Sequence, residues 1–136
     1  MFADCGYGGW VTNGNNWCSP YKGWPEVYDN SPRAMYHSQL SGGEGAVTQS
    51  KELLILGGEA AMWSEQVDSA AVQGKLWPRL SALGERLWTD PTTGWKQAET
   101  RMINHRQRMV ERGVSADGLQ PEWCLQNEAS CYVKKT

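Results

Sequence analysis

The sequence has no excess of positive charge and no long apolar run. Its 136 residues carry 13 Lys and Arg against 15 Asp and Glu, which gives a formal net charge of −2. Because nucleic-acid-binding surfaces need clustered basic charge, we expect no nucleic-acid partner. The apolar run at residues 53–56 is too short to cross a bilayer, and no basic stretch followed by an apolar one opens the chain. The sequence therefore predicts no membrane span and no signal peptide within these residues.

The sequence also lacks the spacing of a metal site. There is no Cys-x-x-Cys motif, and the two histidines, His37 and His105, are far from any cysteine. Zinc is thus the less favoured role for the cysteines, and no metal or cofactor is expected. Four cysteines allow three connectivities, but they fall into two local pairs with turn-forming residues between them, which favours disulfides and an oxidising compartment. These expected pairs are Cys5 with Cys18 and Cys124 with Cys131.

Phenylalanine is nearly absent, with one residue, whereas tryptophan occurs eight times. The enrichment is therefore in indole rings and not in aromatic side chains generally. A Trp side chain fills a large volume in a core, and its flat face also suits the C–H faces of sugar rings. Composition alone favours core packing, with a sugar-stacking surface as the functional alternative.

The first thirty residues are rich in Gly, Asn, Trp and Pro and show no helical or strand period. Such a composition predicts a long, structured loop. A short helix is expected at about residues 24–28, ending before Ser31-Pro32. Residues 38–50 are rich in Gly, Ser, Gln and Glu and are expected to form an exposed connection.

A strand is predicted at residues 53–65, where the apolar run gives way to small and then polar residues. Such runs are typical of strands covered on both faces in parallel sheets. The period of two puts four side chains on one face: Glu59, Ala61, Trp63 and Glu65. An indole and a carboxylate would then lie at the carboxyl end of the strand, where parallel α/β sheets bind their ligands.

Two helices are predicted after this strand. The first, at about residues 69–88, has a leucine stripe beside a stripe of tryptophans and small residues: Leu76, Leu80, Leu83 and Leu87; Trp77, Ser81, Gly84 and Trp88. The small residues suit close approach of another element, so Trp77 and Trp88 are interpreted as core. After a stop at Asp90-Pro91, the second helix is expected at about residues 95–112 with Gly113 as its C-cap. One face of it carries Ala98, Met102, His105 and Met109, with His105 packed and hydrogen-bonded.

One strand and two helices do not make a complete α/β domain. A lone parallel strand has no partners for its backbone groups, and a barrel built from such units needs about 250 residues. The chain is therefore expected to be the end of a larger protein.

Three ordered motifs carry a family pattern. Gly57-Gly58-Glu59-Ala60-Ala61-Met62-Trp63-Ser64-Glu65-Gln66, Leu76-Trp77-Pro78-Arg79 and Glu85-Arg86-Leu87-Trp88 resemble the β-N-acetylhexosaminidases of glycoside hydrolase family 20. The opening Asp4-Cys5-Gly6 with Asn15-Asn16-Trp17-Cys18-Ser19-Pro20-Tyr21, and the closing Leu119-Gln120-Pro121-Glu122-Trp123-Cys124, resemble its insect chitooligosaccharide-degrading branch. The likeness covers nearly the whole chain and is weakest over residues 35–51.

The resemblance implies an α/β fold that is incomplete on its own. Residues 1–115 would form the C-terminal part of a (β/α)8 TIM barrel, and residues 116–136 a tail closed by a disulfide. Residues 53–65 would be the eighth strand and residues 76–88 the eighth helix. The opening loop would follow the seventh strand.

The resemblance also implies retaining, substrate-assisted hydrolysis of terminal N-acetylhexosamine. In that reaction the acetamido oxygen of the sugar attacks its own anomeric carbon, an Asp orients the acetamido group, and the adjacent Glu protonates the leaving oxygen. No Asp-Glu dipeptide occurs in the sequence. The catalytic pair is therefore expected to be absent, so that this fragment alone is inactive and contributes only recognition.

The resemblance assigns sugar-binding roles to two carboxylates and two indoles. Glu65 and Asp4 match carboxylates that accept hydrogen bonds from hydroxyls of the terminal sugar. Trp63 matches an indole that walls the acetamido pocket, and Trp17 matches one that lies under the sugar ring. A loop or turn role for Asp4, and core packing for the tryptophans, are the structural alternatives.

Further positions carry weaker or altered matches. Trp10 and Val11 match positions that flank the next sugar. Phe2 stands where family members usually carry a Tyr whose hydroxyl bonds the acetamido group. Glu59 is expected to form a buried ion pair with Arg79 or Arg86.

The implied partner is an oligosaccharide that ends in N-acetylhexosamine, with N-acetylglucosamine as the favoured sugar. The implied compartment is extracellular or lysosomal, and a homodimeric parent enzyme is one option. Two other hypotheses remain open at this point: a non-catalytic carbohydrate-binding or structural remnant, and a purely structural helical fragment.

Overall fold

In a computed structural model of the chain, the described residues are 22–40, 49–62 and 67–119. They contain six helices and no strand: α1 (Trp24–Asp29), α2 (Pro32–Leu40), α3 (Gln49–Glu52), α4 (Val72–Leu76), α5 (Arg79–Thr89) and α6 (Trp95–Glu111). Helix α1 packs against α5 and α6, and these three helices enclose the core. None of the described helices is long and apolar enough to span a membrane.

Helix α1 confirms the short helix that the sequence predicted at residues 24–28. Pro25 suits the first turn, and the Glu26 carboxylate accepts a hydrogen bond from the Gly23 N–H at 3.2 Å. The helix buries Trp24, Val27 and Tyr28 and ends at Asn30, before Pro32.

The prediction that residues 38–50 form an exposed connection is partly wrong. Helix α2 continues to residue 40, and α3 begins at residue 49, while residues 41–48 lie outside the described part of the chain. The start of α2 has a local cause, because the Ser31 hydroxyl accepts a hydrogen bond from the Ala34 N–H at 3.3 Å and caps the first turn.

The predicted strand is absent from the part of residues 53–65 that the structure describes. Residues 53–54 form a turn and residues 55–62 have no regular structure, and the Leu56 side chain is 95% exposed. A parallel strand in a sheet needs neighbours for its N–H and C=O groups, and the described residues include no other strand that could supply them. Glu59 is also exposed, so its predicted buried ion pair with an arginine is wrong.

The two predicted later helices are found, with one change of start. Helix α5 begins at Arg79, because the chain turns at Trp77 and Pro78 and separates α4 from it. Leu83 is buried, and Leu80 and Leu87 pack against the core, as the leucine stripe predicted.

Trp88 corrects the interpretation of the second stripe on α5. Its side chain is 90% exposed, whereas Trp77 is half-buried. Trp88 and Gly84 lie on a face of α5 that no other described element covers. The expected close neighbour is thus not among the described residues.

Helix α6 follows the sequence prediction closely. Ala98, Met102 and Met109 are buried along one face. The His105 Nε2 atom lies 2.9 Å from the Ser81 hydroxyl of α5, which confirms a packed, hydrogen-bonded histidine. Gly113 follows the helix with φ +84°, the left-handed conformation expected of a C-cap glycine.

Candidate functional site

All the residues predicted to bind sugar lie outside the described part of the chain. They fall in two segments: residues 1–21, with Asp4, Trp10, Val11 and Trp17, and residues 63–66, with Trp63 and Glu65. Phe2 and the cysteines of both predicted disulfides, Cys5, Cys18, Cys124 and Cys131, lie outside it as well. The structure describes the residues that adjoin these segments.

The residues that adjoin the two segments meet at one core. Lys22 follows the first segment and is buried, at 5% exposure. Trp24, two residues later, belongs to the central core cluster. Met62 immediately precedes the second segment and packs against that same cluster. The core therefore fixes where one segment ends and where the other begins.

Arg79, the last residue of the Leu-Trp-Pro-Arg motif, ties these parts together. Its side chain is 1% exposed. Its Nη1 atom donates to the backbone carbonyl of Lys22 at 3.1 Å, and its Nε atom donates to that of Lys75 at 3.0 Å. Its Nη2 atom also donates to the Lys75 carbonyl. One guanidinium thus joins Lys22, the residue directly after the first segment, to the last turn of α4.

Arg86, from the Glu-Arg-Leu-Trp motif, is a second buried cation that binds backbone carbonyls. It donates to the carbonyl of Tyr28 and, at 2.6 Å and 3.3 Å, to those of Pro91 and Thr93. Its guanidinium carbon also lies 4.9 Å from the centre of the Tyr28 ring. A planar fork with five donors suits this task, since several carbonyls converge on one charge.

Tyr28, Glu85 and Arg101 form a charged cluster that joins α1, α5 and α6. The Tyr28 hydroxyl donates to Glu85 at 2.6 Å, and Arg101 donates to both Tyr28, at 2.8 Å, and Glu85. The hydrogen bond from Arg101 lowers the pKa of Glu85 below its ordinary value. Burial, helped by the hydrogen bond to Glu85, raises the pKa of Tyr28. The cluster thus favours an ionised Glu85 and a neutral Tyr28.

A shallow depression adjoins the second segment. It is lined by Met62, Val67, Asp68, Ser69 and Val72, which lie on either side of residues 63–66. Within the described ranges no three His, Cys, Asp or Glu side chains come together as a metal site. The charged side chains of the described residues therefore have structural roles: they bind backbone carbonyls and each other.

Sequence reasoning missed the roles of two residues here. Tyr28 and Arg101 have no motif around them, and only the three-helix packing brings them to Glu85. A signal did exist for Arg79 and Arg86, because each is the one basic residue of its family motif and precedes a leucine of the core-facing stripe.

Comparisons with known proteins agree with the motifs. The model of the glycosyl hydrolase family 20 catalytic domain matches residues 1–91. The chain is 52% identical over 134 residues to the chitooligosaccharidolytic β-N-acetylglucosaminidase of Ostrinia furnacalis, across 97% of this chain and 20% of that protein. It is 48% identical over 135 residues to the protein of the same name from Bombyx mori, with the same two shares.

A mammalian relative matches less of the chain. The β-hexosaminidase subunit beta of Felis catus is 37% identical over 116 residues, which are 85% of this chain and 19% of that protein. The chain therefore spans about a fifth of the length of the relatives it matches. A catalytic domain of this kind implies a TIM-barrel fold for the complete protein. With a family match over most of the chain and half of its residues shared with the insect enzymes, the chain belongs to glycosyl hydrolase family 20.

Proposed function

We propose that this chain is part of a β-N-acetylhexosaminidase and supplies one side of the pocket that binds the terminal N-acetylhexosamine. Family membership and the names of the relatives support the reaction class. One structural observation carries the assignment of a pocket: Trp24, which closely follows the first candidate sugar-binding segment, belongs to the same core cluster against which Met62, directly before the second segment, packs. Segments whose neighbouring residues pack at one core are able to act on one ligand.

In this proposal the chain binds and orients the sugar. Asp4 and Glu65 accept hydrogen bonds from sugar hydroxyls, Trp17 stacks under the ring, and Trp63 walls the acetamido group. Trp10 and Val11 contact the next sugar. The Asp-Glu pair that orients the acetamido group and protonates the leaving oxygen comes from another part of the enzyme, and hydrolysis proceeds with retention.

The fold that goes with this proposal is the C-terminal part of a TIM barrel. Residues 1–115 complete the barrel, with residues 53–65 as its last strand once neighbouring strands are present, and residues 116–136 form a tail. The exposed apolar side chains of Leu53, Leu54 and Leu56 support this, because they are the surface that such neighbours would cover.

The substrate in this proposal is an oligosaccharide with a non-reducing N-acetylglucosamine end, as in chitooligosaccharides or glycans. The names of the two insect relatives support this choice. Disulfides between Cys5 and Cys18 and between Cys124 and Cys131 would place the enzyme in an extracellular or lysosomal compartment.

A chimera tests the proposal directly. These 136 residues replace the matching segment of the Ostrinia furnacalis enzyme, and release of 4-nitrophenol from its N-acetyl-β-glucosaminide is measured. We expect hydrolysis by the chimera and none by the 136-residue chain alone. Glu65→Gln and Trp63→Ala are expected to raise KM by about tenfold or more, because each removes a contact worth roughly 1.4 kcal/mol or more.

The control is Glu111→Gln, which changes an exposed carboxylate at the end of α6 and is expected to leave KM unchanged. A soluble chimera in which all three variants bind substrate equally would contradict the proposed pocket. Turnover by the 136-residue chain alone that survives repurification would contradict the inference that the catalytic pair comes from another part of the enzyme.

The absent Asp-Glu pair favours a second candidate, a carbohydrate-binding remnant without catalysis. Isothermal titration of the 136-residue chain with N,N′-diacetylchitobiose separates the two. Binding by the chain, combined with a chimera that is folded but inactive even when Phe2 is replaced, would favour the remnant.

Phe2 makes a prediction of its own. A tyrosine hydroxyl at this position would bond the acetamido group during ring closure, and one transition-state hydrogen bond is worth on the order of 10²-fold in rate. We therefore expect Phe2→Tyr to raise kcat of the chimera by about that factor with little change in KM. Phe2→Leu serves as the control, and an equal kcat for the Tyr and Leu variants would be the contrary result.

A further inference from the structure

The end of the first candidate sugar-binding segment is held by its backbone. Lys22 is the first described residue after residues 1–21, and its carbonyl lies 3.1 Å from the Nη1 atom of Arg79. Lys22 is buried, and helix α1 begins two residues later with the buried Trp24. The position of this carbonyl therefore fixes the chain directly after residues 1–21.

The group that holds this carbonyl is itself fixed. Arg79 is almost fully buried, and its Nε and Nη2 atoms both donate to the Lys75 carbonyl at the end of α4. Two donors on one acceptor set the plane of the guanidinium, so that its third nitrogen points at Lys22. A lysine ammonium has no such planar fork and cannot reproduce this geometry.

The same arginine follows the second segment along the chain, with only α4 and short connections between them. Helix α4 follows residues 63–66 after a short stretch, and Arg79 opens α5 directly after it. A bond from Arg79 to Lys22 therefore fixes the first segment relative to the element that follows the second.

We propose that Arg79 is a positioning residue for substrate binding: through the Lys22 carbonyl it holds the loop that carries Asp4, Trp10, Val11 and Trp17 in register with Trp63 and Glu65. This rests on the proposed function, since it takes those side chains to be the sugar-binding groups. Arg79 itself touches no substrate. Its loss misplaces contacts that are made equally in the ground state and the transition state, which raises KM and leaves kcat nearly unchanged.

Arg106 provides a matched control. It is a half-buried arginine that, like Arg79, anchors a backbone carbonyl: it donates two hydrogen bonds to that of Ala116, at 3.3 Å and 3.1 Å. Ala116 is buried, but it lies far along the chain from both candidate segments. Arg106→Met therefore removes a backbone anchor of similar chemistry and leaves the hydrogen bond from Arg79 to Lys22 in place.

The test compares Arg79→Met with Arg106→Met in the chimera, using the 4-nitrophenyl substrate and thermal melts. We expect both variants to melt earlier, but only Arg79→Met to raise KM, by between about 10-fold and 100-fold, since small misplacements of binding groups carry effects of this size. The KM of Arg79→Lys is expected to be close to that of Arg79→Met. Equal KM values for the Arg79 and Arg106 variants would overturn the proposal.

A second measurement decides the matter if the Arg79 variants fail to fold in the chimera. In the 136-residue chain, hydrogen exchange of peptides that end near Trp24 should accelerate in Arg79→Met and not in Arg106→Met. Unchanged exchange would also overturn the proposal. Failure of the proposed function looks different: Glu65→Gln and Trp63→Ala would then leave KM unchanged even where Arg79→Met accelerates exchange.

Discussion

Replacement of Arg86 by methionine tests the claim that a buried guanidinium organises the three-helix core. Arg86 is nearly buried and donates to the carbonyls of Tyr28, Pro91 and Thr93, while its charge lies over the Tyr28 ring. Methionine fills a similar volume and donates no hydrogen bond. The variant therefore isolates the loss of the donors and the charge from the loss of packing.

The expected destabilisation follows from these contacts. A hydrogen bond that involves a charged group contributes about 1.5–3 kcal/mol, and a buried cation–π contact about 1–2 kcal/mol. These contributions do not add fully, and removal of the buried charge relieves a desolvation cost that offsets part of them. We expect the free energy of unfolding to fall by about 3 kcal/mol, which corresponds to a decrease in Tm of roughly 10 °C.

Urea denaturation of the 136-residue chain, followed by circular dichroism, measures this change. The control is Arg33→Met, which removes an arginine that is 47% exposed and pairs with Asp90 at 3.4 Å, and which should cost less than about 1 kcal/mol. Arg86→Lys should behave like Arg86→Met, since an ammonium lacks the fork. A loss in Arg86→Met no larger than that of Arg33→Met would refute the reasoning.

Two further predictions concern titration and backbone conformation. The hydrogen bond from Arg101 lowers the pKa of Glu85 below its ordinary value of 4.5. The contribution of Glu85 to stability is therefore present above pH 4.5 and is lost as the pH falls through the lower folded-state pKa. Urea midpoints measured from pH 7 to pH 2 should fall less steeply in Glu85→Gln than in the unmodified chain, and parallel curves would contradict this. Gly113→Ala should destabilise the chain by about 1 kcal/mol, because φ is +84° at Gly113. Gly84→Ala should stabilise the chain by roughly 0.5–1 kcal/mol, since Gly84 lies inside α5 with open space where a Cβ would be. Thermal melts measure both changes, and stability changes of the same sign would show that backbone conformation is not the cause.

The helices show which structural features local sequence specifies. The predictions at residues 24–28 and 95–112 are confirmed, because apolar spacing, a first-turn Pro and a terminal Gly act over a few residues and are visible in the sequence. Helix α2 was not among the predicted helices, because polar residues dominate its end and a single capping serine at its start is a weak local signal.

The predicted strand shows the opposite case. Its apolar pattern is present, yet residues 55–62 have no regular structure, because strand pairing requires partners and none is found among residues 22–40, 49–62 and 67–119. The sugar-binding residues remain predictions for a related reason. Their roles come from resemblance, and they lie outside the described residues.

Residue order and local spacing were enough to identify the family, the positions of the main helices and the absence of an Asp-Glu pair. Three further features became visible only in the packed helices: Arg79 and Arg86 bind backbone carbonyls in the core, Tyr28 meets Glu85 and Arg101, and Trp88 is exposed. These outcomes depend on which faces of α1, α5 and α6 meet. Contacts between residues more than fifty positions apart leave no local pattern from which they can be inferred.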